Sequence, residues 1–217
     1  MNVEELVKEL KAVANPDDAV AMRAYMRNKF DFLGVKTPAR RKLSKAFFKQ
    51  QTDSVIDWDF INEAWSNPYR ESQYIALDYL EIRKKLLTPS DLPRLKKLAQ
   101  TKSWWDTIDF LDRLVGSIIT RFPETKEIIL AWSCDEDFWL RRLAIDHQLL
   151  RKEETDTELL EKILVNNLDQ TEFFINKAIG WALRDYSKTN SDWVRDFIQR
   201  HREEMAALSI LEGSKYL

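Results

Sequence analysis

Apolar residues recur three and four positions apart along nearly the whole chain, in stretches separated by short polar segments. That period lines one face of an α-helix, whereas a strand would alternate. Asn15-Pro16, Thr37-Pro38, Asn67-Pro68 and Thr88-Pro89 each put a capping side chain ahead of a proline, which suits the first turn of a helix. Ser133 to Asp135, Thr155 to Thr157 and Asn190 to Asp192 offer capping residues without proline. The pattern predicts about ten to twelve helices joined by short loops.

A repeat runs beneath these helices. Leu77, Leu111, Ile145 and Ile179 follow one another at intervals of 34 residues, and Leu43 continues the series backwards. Ala76, Ala144 and Ala178 stand in register beside them, which argues against a chance spacing of common apolar residues. A fixed period of this size marks stacked helix pairs. Small residues in the register, with Gly116 and Gly180 inside helical segments, let neighbouring helices approach closely. The expected fold is all-α, a curved solenoid of antiparallel helix pairs forming a single domain over residues 1–217.

Composition agrees. The 217 residues include only 4 Gly and 6 Pro, too few for the tight turns of a sheet protein of this length. A single cysteine, Cys134, excludes an internal disulfide framework, and no metal-ligand cluster is visible along the chain. No cofactor motif appears. The opening stretch is amphipathic and acidic, unlike a secretory signal, and no apolar run reaches membrane-spanning length. A soluble cytoplasmic monomer is expected. The net charge of −2 does not announce a nucleic-acid partner, so any DNA-binding surface must segregate its cations.

The repeat phase supplies such a segregation. Two positions before the register stand Arg41, Ile75, Asp109, Leu143 and Lys177; two positions after it stand Lys45, Tyr79, Arg113, His147 and Trp181. Residues four apart share a helix face. In a stack of repeats these rows would build one surface carrying Arg41, Lys45, Arg113, Lys177 and Arg184, with Arg142 one residue off the row. Arg40 and Arg41, in the first turn after Thr37-Pro38, add an arginine-loaded helix start. Each cation taken singly is equally well explained as the solvated face of its helix; the shared phase favours phosphate binding by the set.

The same stripe carries residues that phosphate does not call for. Trp105, Asp109 and Arg113 fall at i, i+4 and i+8, and Lys177, Trp181 and Arg184 at i, i+4 and i+7. A carboxylate repels phosphate, but a carboxylate beside aromatic faces stabilises a developing cation. That fits cleavage of an N-glycosidic bond, whose transition state puts positive charge on the sugar. A plain salt bridge from Asp109 to Arg113 or Arg142 accounts for the spacing equally well. Trp58, Trp65, Trp104, Trp132, Trp139 and Trp193 are assigned to packing or helix edges.

The segments Thr101–Asp109, Trp139–Arg142 and Phe174–Arg184, with Arg23–Arg41 near the start, resemble the AlkD-type DNA alkylation repair glycosylases, which are HEAT-like repeat proteins. The likeness spans about Asn15 to Lys188. It implies excision of purines alkylated at ring nitrogens, such as 3-methyladenine and 7-methylguanine, from double-stranded DNA, without extruding the base into a pocket. It implies that Asp109 is the essential carboxylate, that Trp105 and Trp181 pack on the deoxyribose, and that Arg142 lies beside the active-site backbone. Tyr25, Arg40, Arg41, Lys45, Arg113, Lys177, Arg184 and Lys188 are then expected to contact DNA. The segment Leu208–Leu217 has no evident match, and the acidic total charge departs from the family. Two other readings stand beside the enzyme: a related protein that recognises DNA structure without cutting it, and a helical scaffold for protein partners.

Overall fold

The computed structural model describes residues 2–49 and 55–217. They form thirteen α-helices and four short 3-10 helices, with one isolated bridge pairing Asp31 and Tyr69 and no strands among the described residues. The chain gathers into two compact units, Met1–Leu87 and Thr88–Leu217. None of the helices is long and apolar enough to cross a membrane.

The first unit holds α1 (Val3–Ala12), α2 (Pro16–Tyr25), α3 (Thr37–Phe48), α4 (Trp58–Ser66) and α5 (Arg70–Ile82). Helix α1 packs on α3 and α4, and α5 packs on the same two. Leu6, Leu10, Ile61, Ile75 and Leu77 fill the space between them. The Asn15 carboxamide accepts hydrogen bonds from the N–H groups of Asp17 and Asp18, the expected cap. Two other marks read differently. Thr37 is itself the first residue of α3 and Lys36 before it makes no side-chain cap, so Pro38 lies in the first turn, where its missing N–H costs nothing. Asn67 accepts from the N–H of Tyr69 in a local turn, and α5 starts only at Arg70.

The loop between α2 and α3 is pinned from within this unit. The buried Glu71 carboxylate accepts the N–H groups of Leu33, Gly34 and Val35 at 3.0, 2.9 and 3.1 Å. Gly34 has φ +81°, and a Cβ there would stand 2.0 Å from the Asn15 carbonyl oxygen, so only glycine fits. This explains the glycine of the Arg23–Arg41 segment.

The second unit holds α6 (Leu92–Ala99), α7 (Trp105–Arg121), α8 (Lys126–Trp132), α9 (Phe138–Asp146), α10 (Thr157–Val165), α11 (Phe173–Ser187), α12 (Ser191–Arg200) and α13 (Ala207–Gly213). Helices α7, α9 and α11 pack in succession; α6, α8 and α10 lie against members of that row, and α12 and α13 against α11. The 34-residue register is core: Leu77, Leu111, Ile145, Ile179 and the neighbouring Ala76, Ala144 and Ala178 are buried, while Leu43 is half-buried. The small residues mark close approaches. A Cβ on Gly116 would meet the His147 carbonyl oxygen at 2.2 Å, and one on Gly180 would meet Glu212 Cβ at 2.5 Å.

The contact between α11 and α13 is the most extensive between any two helices among the described residues, although Leu208–Leu217 carries no recognisable motif. Gly180→Ala tests it. In an open helix this change gains about 1 kcal/mol. Here the new methyl group collides with α13, and overpacking of this kind costs about 1–3 kcal/mol. Denaturant unfolding should show the variant less stable than the parent; a more stable variant would mean that α13 does not pack tightly.

Candidate active site

An aromatic cluster aligns the starts of α7, α9 and α11. Trp104 precedes α7 in an extended conformation, and its ring meets Trp139 at 5.7 Å and Phe174 at 5.2 Å. Trp139 and Phe174 lie 4.8 Å apart. Trp104 and Trp139 are buried, as are Trp58, Trp65 and Trp132, while Trp193 stacks on Phe197 at a helix edge. These rings anchor the first turns of three helices, and the side chains one turn further on converge.

Asp109 on α7 and Arg142 on α9 are the centre of that convergence. The Arg142 Nε–H and Nη2–H groups donate to the two Asp109 carboxylate oxygens at 2.8 and 3.1 Å, a two-pronged pairing. The remaining Nη1 donates to the Phe174 carbonyl oxygen on α11 at 2.7 Å. One guanidinium thus ties three helices together. Its side chain is only 4% exposed, while that of Asp109 keeps 18%, so the carboxylate still reaches solvent. Arg142 also lies 5.9 Å from the Trp181 ring centre. Trp105, first residue of α7, and Trp181 are both half-buried. Burial pushes the Asp109 carboxyl upward and Arg142 draws it back, leaving it above the usual carboxylate range.

Behind this pair lies a second acidic layer that sequence reasoning missed. Carboxylate oxygens of Asp109, Asp112 and Asp146 fall within 4.8 Å of one another, so tertiary structure assembles a potential ligand cluster where the linear sequence displays none. The cation among them is Arg142, whose Nη2 stands 3.6 Å from Asp146. Burial, reinforced by Asp146 and Asp109, holds Asp112 well above its ordinary range; burial, opposed by Arg142 and helped by Asp109, pushes Asp146 up to about 8. Beside them His147 is buried and driven down to about 3 by desolvation and by Arg151, so it is uncharged at neutral pH. A signal was available: Asp78, Asp112 and Asp146 recur at 34 residues, each directly after a register position.

The rows drawn from the repeat phase are not uniformly surface. Ile75, Tyr79, Leu143 and His147 on those rows are buried. Arg113 is exposed one turn beyond Asp109. Lys177 and Arg184 are partly exposed, and each has an internal partner: Glu212 on α13 accepts from both, at 2.8 and 2.7 Å, and from Lys215 at 3.1 Å. Lys177 and then Lys215 hold the Glu212 carboxyl down at about 2. Lys188 lies 3.8 Å from Asp185 and 5.3 Å from the Tyr216 ring centre. In the first unit Tyr25 is 71% exposed, and Arg41 and Lys45 are exposed. Arg40 is not presented to solvent. Its guanidinium is buried, 3.4 Å from Asp78 and 4.7 Å from the Tyr74 ring centre, and serves packing.

Among solved structures, one described as a predicted DNA alkylation repair enzyme from Enterococcus faecalis superposes with a TM-score of 0.86. It is 35% identical in sequence, over 94% of this chain and 96% of that one. No curated protein sequence matches. The family profile of the DNA alkylation repair enzymes matches residues 6–217. With nearly its whole length matched, its all-helical fold and this degree of identity, the chain belongs to the DNA alkylation repair enzyme family.

Proposed function

We propose that the protein is a DNA glycosylase that removes positively charged N-alkylated purines, 3-methyladenine and 7-methylguanine, from duplex DNA. The observation that carries this reading is the Asp109 carboxylate, fixed by both prongs of a buried arginine yet still open to solvent. In the reaction the bond from deoxyribose C1′ to the base nitrogen breaks, and its electron pair leaves with the base. The base begins with a positive charge and departs neutral. Water attacks C1′ and loses a proton. Asp109 faces the positive charge that develops on the sugar, orients that water and takes up its proton. Arg142 neither donates to the base nor accepts a proton; it sets where the carboxylate points. Trp105 and Trp181 offer apolar faces to the deoxyribose and aromatic quadrupoles to its charge. Arg113, Lys177, Arg184 and Lys188 in the second unit, and Tyr25, Arg41 and Lys45 in the first, meet the DNA strands.

Nothing in this arrangement protonates a leaving base. Among the described residues the acid groups around Asp109 are carboxyls: Asp112 and Asp146 are buried away from any base, and Asp106 acts on Asp109 by raising its pKa. The base must therefore be activated by its own charge. Release of 7-methylguanine and 3-methyladenine should exceed release of uracil or hypoxanthine, in otherwise identical duplexes, by at least about a hundredfold, the usual worth of a general acid. Efficient uracil excision would require leaving-group catalysis and would end this reading.

A further inference from the structure

Asp112 and Asp146 are as deeply buried as the apolar core, 1% exposed each. Among the described residues no N–H or O–H group donates to either oxygen of Asp146, and Asp112 has an orphaned Oδ1 with only the backbone N–H of Arg113 at its carboxyl. A buried carboxylate ordinarily collects two or three donors, and one that collects none, or a single backbone N–H, is far more costly charged than neutral. The local charge count points the same way. Arg142 carries one positive charge, and Asp109, held by both prongs, balances it. A second ionised carboxyl would leave a net buried negative charge, with no further cation beside it but the exposed Arg113.

We propose that Asp112 and Asp146 are neutral carboxylic acids whose lack of charge leaves Arg142 committed to Asp109, which makes both of them positioning residues for base excision. The charged groups that face Asp146 are Arg142 on its own helix and Asp109 and Asp112 on α7, with Arg113 acting on Asp112. The helices α6, α8, α10 and α11, also packed against α9, bring no charged group that acts on it among the described residues. Should Asp146 ionise, it stands 3.6 Å from Arg142 Nη2, the prong that holds Asp109 Oδ2. The guanidinium would be drawn toward the new charge and would partly neutralise it, so the reaction would register chiefly a loosened Asp109. Displacement of a reacting group by about 1 Å costs on the order of a hundredfold.

Protonation and positioning separate experimentally. The positioning role rests on the glycosylase reading; the protonation does not. In the unmodified protein with isotope-labelled aspartate, an Asp carboxyl resonance should titrate near 8, and it should be missing from Asp146→Asn. If every Asp carboxyl titrates below about pH 6, Asp146 is an ordinary anion and the proposal fails, whatever the enzyme does. Stability supplies a second readout. A carboxyl that holds its proton more tightly folded than unfolded contributes stability that is present at low pH and lost as pH rises through its folded value. The parent should therefore lose thermal stability up to about pH 8, and Asp146→Asn, an uncharged isostere, should flatten that decline.

For the reaction, single-turnover release of 7-methylguanine above the spontaneous background should fall at least about tenfold between pH 7 and pH 9.5 in the parent. In Asp146→Asn it should hold within about threefold across that range. A folded Asp146→Asn with the parent's alkaline loss would overturn the positioning role. So would a folded variant as slow at pH 7 as Asp109→Asn, since the neutral form would then not be the working one. A parent that releases no alkylated base at any pH would sink the glycosylase reading and the positioning role with it, while the titration still decides the protonation.

Discussion

Asp109→Asn is expected to cut release of 7-methylguanine by about a thousandfold while leaving the helical fold and DNA binding in place. The size follows from Coulomb's law. A carboxylate about 4 Å from a sugar cation, in a partly buried site of effective dielectric near 20, is worth about 4 kcal/mol. Each factor of ten in rate takes about 1.4 kcal/mol. The amide keeps the size of the carboxyl but loses the charge, and its NH2 group meets the Arg142 prong that now donates to Oδ2. Arg142 then turns to Asp146, which loses the Asp109 charge that helps to keep its pKa high. The buried charge balance is thus largely restored, and the variant stays folded. Burst measurements on methylated duplex DNA, beside binding at matched salt, would check the split. A variant that excises as fast as the parent would make Asp109 a structural ion-pair partner, and one that binds DNA without excision would satisfy the prediction.

Arg142→Met should act on stability and chemistry together, with a pH signature that Asp109→Asn lacks. Removing one partner of a buried ion pair costs about 3–5 kcal/mol, because the other charge is left without compensation. For a chain of this length each kcal/mol lowers the melting temperature by about 2–4 °C, so a fall of about 6–20 °C is expected. The Phe174 carbonyl oxygen loses its Nη1 donor as well, which unties α11 from α7 and α9. Arg142 is also the main influence drawing the Asp109 pKa down against burial. Without it that pKa rises further, and a larger share of Asp109 is protonated and inert at neutral pH. Residual excision by the variant should therefore climb as pH rises, over the range in which the parent is expected to decline. Arg142→Lys keeps the charge but not the two-pronged geometry, and should fall between the two. An Arg142→Met protein with the parent's melting temperature and pH profile would contradict both arguments.

The Asp109–Arg142 pair was half legible in the sequence. The stripe of Trp105, Asp109 and Arg113 is a local matter, since residues four apart on one helix share a face whatever packs on it. A salt bridge from Asp109 to Arg113 or Arg142 was equally foreseeable, but which arginine takes it depends on α9 lying against α7. Arg142 wins because it is buried beside Asp109 with no water to compete, whereas Arg113 is exposed. The acid layer behind the pair was visible only as an unremarked spacing. Nothing in one chain's charge pattern separates a solvated aspartate from one sealed between two helices.

The sequence by itself determined the helices and their core faces, because hydrophobic periodicity and the caps at Asn15, Asp156 and Asn190 act within a few residues. It determined, too, that Leu77, Leu111, Ile145 and Ile179 point inward, since a repeated apolar position in a repeated helix must be covered. Only the tertiary structure decided what each charge meets. It buried Arg40 against Asp78 and Tyr74, gave Lys177 and Arg184 to Glu212 on a C-terminal helix that carries no motif, and closed Asp112 and Asp146 behind Arg142. The physical reason is one of range. Periodicity reports which side of a helix faces the interior, while the free energy of a charge depends on desolvation and on partners brought from 28 to 38 residues away.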